Sequence, residues 1–236
     1  MTGSPGATSK YEYHHYPKTL APDDFWGQVR RTVNGQRVGE DQILMIVEAI
    51  RDGLELGPTD VVLDIACGNG ALSARLFPSC AQLLGVDHSE YLVEVAQTYF
   101  ESRPEYRFVV GDAAGYVATE PDPARFTKAL CYGSFPYFPA ADAEAVLEAL
   151  GQRFCNVERI FIGNLPDRDR TDRFYTERND YADELDDHTA QIGIWRSAAQ
   201  IEDLAARHGW RARFHQMQSG FYAHHYRFDA ILDRCR

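Results

Sequence analysis

The chain of 236 residues has no apolar run near the ~20 residues a membrane-spanning helix needs, so no membrane partner is expected. It has no basic excess: 24 Lys and Arg face 35 Asp and Glu, a net charge of −11. Proteins that grip nucleic acid neutralise phosphates with a basic face, so DNA and RNA are not expected partners either. Cysteine is sparse. There are five, scattered, with no Cys-x-x-Cys pair, which excludes a zinc cage or a disulfide framework of the usual spacing. The chain lacks internal repeats and low-complexity tracts. Met1 to Lys10 lack the apolar core of a secretory signal, so a cytoplasmic location is expected.

What is present is an alternation of strands and helices. Val61-Val62-Leu63-Asp64-Ile65-Ala66-Cys67-Gly68-Asn69-Gly70 reads as a buried strand ending in an acid, a tight glycine turn, and a helix starting near Ala71. Glycines in such a corner let the backbone approach a ligand and adopt angles a side chain forbids. Gln82-Leu83-Leu84-Gly85-Val86-Asp87 and Tyr106-Arg107-Phe108-Val109-Val110-Gly111-Asp112 repeat the pattern of a strand ending in an acid. Further strands are expected over 126–132, 157–163, 211–218 and 225–233. Helices are expected over 23–31, 40–54, 89–101, 142–154 and 197–208. The expected fold is a Rossmann-like, doubly wound α/β sheet of seven strands, mostly parallel, its last strand antiparallel across a Ser219-Gly220 turn. Residues 1–57 are expected to form an N-terminal lid and helical cap with a disordered start, and 58–236 the sheet domain, with an excursion at about 164–195.

These residues resemble the class I S-adenosylmethionine (SAM) methyltransferases. That family has an acid, three spacers and Gly-x-Gly at the first turn, here Asp64, Gly68 and Gly70. It has an acid after the second strand for the ribose hydroxyls, here Asp87, and one after the third near the adenine amine, here Asp112. The resemblance implies SAM as cofactor at the carboxyl ends of the first strands. It would lie against Asp64, Ala66, Cys67, Gly68, Gly70, Asp87, His88, Asp112, Ala113 and Cys131, under a lid that includes Tyr13, Tyr16 and Trp26. Cys67 reads as a small residue packed beside the cofactor and not as a catalytic thiol. The competing reading is a nicotinamide dehydrogenase. Against it, Ser73 stands where the third glycine of Gly-x-Gly-x-x-Gly belongs, and Asp64 would repel a diphosphate.

Ser134-Phe135-Pro136-Tyr137 lacks the Asp or Asn with which family members that methylate amino groups of bases begin this turn. Tyr132 and Gly133 stand where metal-dependent relatives place a ligand Asp, so no metal is expected. Phe174, Tyr175, Tyr181 and Trp195 mark the excursion either as packing over the sheet edge or as a substrate lid. The Asp167–Arg173 run alternates in sign and reads as a solvated, self-compensated face. Phe221-Tyr222-Ala223-His224-His225-Tyr226 joins the last two strands at the cofactor edge, which makes His224 and His225 candidate bases for a hydroxyl. The expected activity is methyl transfer to a small-molecule acceptor, a hydroxyl of a sugar or secondary metabolite. C- or N-methylation, or SAM binding without transfer, stand beside it. The oligomeric state is left open, a homodimer included.

Overall fold

The computed structural model describes residues 15–33, 35–101, 104–177 and 180–235. Tyr13 and the chain start lie outside them. Seven strands make one sheet: β1 (Val61–Ile65), β2 (Gln82–Asp87), β3 (Tyr106–Val110), β4 (Lys128–Tyr132), β5 (Arg159–Pro166), β6 (Trp210–His215) and β7 (Arg227–Arg234). Their spatial order is β3-β2-β1-β4-β5-β7-β6. β1 to β5 pair in parallel, and β7 lies antiparallel between β5 and β6. β6 therefore runs with the first five strands, and its carboxyl end opens on the same edge as theirs.

Alternation along each strand splits the core into two layers. Val62, Leu130, Phe161 and Ile231 face helix α2 (Glu40–Leu54) through its Ile43, Ile46, Ile50 and Leu54. Their chain neighbours Leu63, Ala129, Ile160 and Leu232 face the opposite layer. There Val146, Leu147 and Leu150 come from α6 (Ala140–Gln152), and Ile201 and Leu204 from α7 (Ala198–Arg207). A sheet covered on both faces reads as near-continuous apolar runs, which is why the strands stand out in the sequence.

Four further α-helices lie among the described residues: α1 (Phe25–Gln28), α3 (Ala71–Ala74), α4 (Glu90–Tyr99) and α5 (Ala113–Thr119). Several boundaries move from their expected places for local reasons. α6 starts at Ala140, directly after Pro139 in the N-cap position. β4 starts at Lys128, after a 3-10 turn over Pro123–Arg125. α1 has a single turn, capped by the Asp24 carboxylate, and the chain then leaves into a short hairpin, Thr32–Val33 with Gln36–Arg37. α5 has no counterpart among the expected helices. Among the described residues no helix is long and apolar enough to cross a membrane.

Candidate cofactor and acceptor site

The turn after β1 is held in an unusual conformation. Ala66, Gly68 and Gly70 have φ of 57°, 60° and 74°. An alanine there is strained by about 1–2 kcal/mol, a cost the surrounding packing must offset. A side chain at Gly70 would lie 2.8 Å from the Phe108 ring. One at Gly68 would lie 3.0 Å from Val29, so the turn runs directly beneath the N-terminal cap.

Asp64 is buried at the end of β1 and accepts a 2.6 Å hydrogen bond from Ser73 Oγ. Burial pushes its carboxyl up to about 7; the Ser73 bond lowers it, the Asp87 charge raises it and the Arg31 charge lowers it. Burial, then the charges of Asp64 and Asp87, raise the Cys67 thiol well above its ordinary range, so no reactive thiolate forms there. Cys131, at the end of β4, is raised mainly by burial in the same way.

Asp87 closes the next turn. Its Oδ2 accepts from the Gly68 N–H at 2.8 Å and its Oδ1 from the Ser89 N–H at 2.9 Å. His88 is exposed beside it, with Nδ1 3.6 Å from Asp87 Oδ1. Asp112 caps α5, accepting from the Gly115 N–H at 3.1 Å, and Ala113 is the first residue of that helix.

The cap is tied to the glycine turn by one buried side chain. Asn69 Nδ2 donates to the Phe25 carbonyl at 2.8 Å and to Gln28 Oε1 at 2.9 Å. Gln28 in turn donates to the carbonyls of Ala21 and Pro22. Tyr16 lies in this cap with the Arg30 guanidinium 4.4 Å from its ring centre, and Trp26 lies in α1. Arg30 itself turns the chain at φ 50° and delivers Arg31, whose guanidinium lies 4.9 Å from the Tyr132 ring centre.

The methyltransferase-domain family matches residues 62–153, which span β1 through the end of α6. Over these residues the chain carries a methyltransferase domain, and its sheet has the fold of SAM-dependent methyltransferases. The ubiquinone biosynthesis O-methyltransferase of Leptothrix cholodnii is 34% identical over 95 residues, 39% of this chain and 38% of its own length. The magnesium-protoporphyrin O-methyltransferase of Rhodobacter capsulatus is 30% identical over 144 residues, 58% of each chain. The match thus spans under two-thirds of these relatives' length. The crystal structure of magnesium protoporphyrin IX methyltransferase from Synechocystis PCC 6803, solved with S-adenosylhomocysteine (SAH), is similar in fold. Its TM-score is 0.58 at 20% identity, over 83% of each chain. SAM, the cofactor implied by the sequence resemblance, is that of the family.

The site fits such a cofactor in its chemistry. Asp64 and Asp87 place two carboxylates beside the glycine turn, groups that suit an ammonium and a diol. Ser73 occupies the place of a third dinucleotide glycine and spends its hydroxyl on Asp64, so a diphosphate would meet a carboxylate there. Among the described residues no three His, Cys, Asp or Glu side chains gather as a metal site.

On the acceptor half, the structure assembles groups that local sequence patterns do not reveal. Tyr132 ends β4, Asn164 sits at φ 63° in β5, and Arg227 and Asp229 begin β7. Arg227 donates to the Asn164 carbonyl, and Asp229 accepts from the Asn164 N–H at 2.7 Å. Asp229 also faces His215 Nδ1 at 3.3 Å, and that bond raises the imidazole's pKa. His224 and His225 lie on the β6–β7 connection with ring centres 6.0 Å apart. His225 is exposed and faces Tyr226; burial, then the charges of His224 and Arg173, lower its pKa. Phe174, Tyr175, Tyr181 and Trp195 form one aromatic cluster with Tyr226, with Trp195 fully buried. In the charged run, Arg170 pairs with Asp167, but Arg168 reaches out of it to Asp186.

Proposed function

We propose that this chain transfers a methyl group from SAM to a hydroxyl oxygen of a small acceptor, a sugar or secondary metabolite. The cofactor supplies an electrophilic methyl on a sulfonium. The protein's part is to position the acceptor oxygen in line, exclude water and take up the hydroxyl proton. In this reading Asp64 receives the ammonium and Asp87 the ribose hydroxyls. The turn Ser134-Phe135-Pro136-Tyr137 shapes the wall between cofactor and acceptor, where Ser134 Oγ is tied to the Ala66 carbonyl at 3.3 Å.

The observation that carries the oxygen reading is the pair His224 and His225 at the carboxyl edge, with His225 biased toward its neutral, proton-accepting form. Both curated relatives described above are O-methyltransferases by name. The exclusion of nucleic acid as acceptor rests on the net charge of −11.

The test begins with calorimetric titration of SAM and SAH, then methyl acceptance by hydroxylated metabolites using labelled SAM. Asp87→Ala should weaken SAM binding at least about tenfold, through loss of a charge-assisted hydrogen bond. Replacing the base, His225 or His224, by Ala should lower kcat about 10²–10⁴-fold at unchanged SAM affinity. Full turnover in both single variants and in the double variant would remove the histidines from the mechanism.

A further inference from the structure

Near Asp64, the cap and sheet half-bury Arg31 and leave two of its guanidinium nitrogens without an acceptor. Arg31 Nε and Nη1 are withdrawn from solvent and have no hydrogen-bond partner. The nearby Tyr132 hydroxyl is also buried and unpartnered. The Arg31 guanidinium lies 4.9 Å from the Tyr132 ring centre, and its charge acts on Asp64, Tyr132 and Tyr222. Asp64 nonetheless takes its bond from Ser73 and forms no ion pair with Arg31. The guanidinium is oriented by the Tyr132 ring at 4.9 Å and the Trp26 ring at 5.9 Å. Buried donors are nearly always satisfied, so three unsatisfied ones on two side chains in contact mark a missing acceptor group. The planar fork of a guanidinium matches the two oxygens of a carboxylate or phosphate.

We propose that Arg31 and the Tyr132 hydroxyl bind an oxyanion of the methyl acceptor, so that the acceptor is a hydroxylated acid bearing a carboxylate or a phosphate. This rests on the methyltransferase reading above and adds the acceptor's charge. Arg227 makes the same wall cationic, its charge reaching Tyr132 and Tyr222, while one of its donors is already committed to the Asn164 carbonyl. Asn164 Oδ1, buried and without a donor, supplies an acceptor for a hydroxyl on the same molecule. The wall thus offers donors for an acid and an acceptor for an alcohol.

A second source of a carboxylate is the methionine end of SAM itself, and the test separates the two. The protein is saturated with SAH, which fills the cofactor's own carboxylate position. Glycolate and inorganic phosphate are then titrated in, with ethylene glycol as the neutral control, while the arginine Nε–H signals are followed by nitrogen-15 NMR. The Arg31 signal is assigned by its absence in Arg31→Met. Saturable shifts with glycolate or phosphate, none with ethylene glycol, and at least about tenfold weaker binding in Arg31→Met are expected. Tyr132→Phe, which removes one donor and keeps the ring, should weaken the anion less, with SAH affinity unchanged. Two results overturn the proposal. One is that neither anion moves the signals of the SAH-loaded protein. The other is that Arg31→Met weakens SAH itself tenfold or more and leaves anion binding intact, which gives Arg31 to the cofactor. Should wild-type protein fail to bind SAH, the methyltransferase reading fails. The anion titration without SAH then judges the oxyanion site alone.

Discussion

Asp64 carries a conflict between folding and binding. Its carboxyl sits at about 7 in the folded chain against an ordinary 3.8. A carboxyl raised by folding takes up protons between those values, so its contribution favours the fold below about pH 4 and is lost as pH rises to about 7. The loss is on the order of 4 kcal/mol at most. Asp64→Asn removes the charge and keeps an acceptor for Ser73. Without cofactor, the variant should be the more stable protein at pH 8, and the gap should close toward pH 4; urea unfolding of both proteins across that range reads it. An ammonium beside Asp64 reverses the balance by favouring the carboxylate. SAM affinity of the wild type should therefore rise up to about tenfold per pH unit below 7 and level off above, while the variant binds weakly with a flat profile. Equal stability of the two proteins at pH 8 would mean that the buried carboxylate costs nothing, and the reading of Asp64 as a held-back charge would fall.

Between elements, the decisive contact is the one from α1 to the turn after β1. Asn69 and Gln28 are both almost fully buried, and their bond joins chain segments that share no secondary structure. Asn69→Ala leaves the Phe25 carbonyl and Gln28 Oε1 without donors, at a cost of about 1–3 kcal/mol. Hydrogen exchange should speed up in α1 and the hairpin after it well beyond any change in β1, β4 or β5; a uniform change would show that Asn69 matters to the fold as a whole and not to cap docking. A plainer case is the capping box of α7, where the Ser197 hydroxyl and the Gln200 side chain satisfy each other's backbone. Ser197→Ala should cost about 1 kcal/mol in urea unfolding with SAH affinity unchanged. These two contacts also show what a sequence reveals. Ser197 with Gln200, and Ser89 before α4, announce helix starts because capping is local. β1 and β2 are legible because both faces are covered and apolar residues run almost unbroken, and edge strand β3 because buried Tyr106 and Phe108 alternate with exposed Arg107. α5 is not: Ala113-Ala114-Gly115 has no apolar period, and Asp112, read as a ligand, is also its N-cap. Arg31 is invisible beside Arg30, since only the turn at Arg30 and the distant Tyr132 ring give it a role. The acceptor wall is assembled from β4, β5, β7 and the cap, and no local spacing encodes such a meeting.

For the whole molecule, the cofactor turn lies between the cap, which supplies Asn69's partners, and the sheet, which supplies Asp64 and Asp87. A ligand held there stabilises only the state in which both are docked. By mass action SAH at 100 times its Kd adds about 2.7 kcal/mol. For a chain of 236 residues that is a rise in Tm of about 5–10 °C. The rise should come as one transition, because α2 of the cap shares its core with Val62 and Phe161 of the sheet and cannot melt apart from them. The segment ahead of α2 is different: it is held to the sheet domain by side-chain contacts, those of Asn69, of Phe25 with Tyr99 and Phe100, and of Arg31 with the Tyr132 ring. SAH should therefore slow hydrogen exchange most strongly over α1 and the hairpin, and in Asn69→Ala a part of the binding energy must go into docking that segment. The variant should bind SAH more weakly than wild type while showing a larger gain in exchange protection over α1 on binding. Equal protection gains in the two proteins would mean that the segment docks independently of the cofactor, and that the cap is a fixed wall of the site.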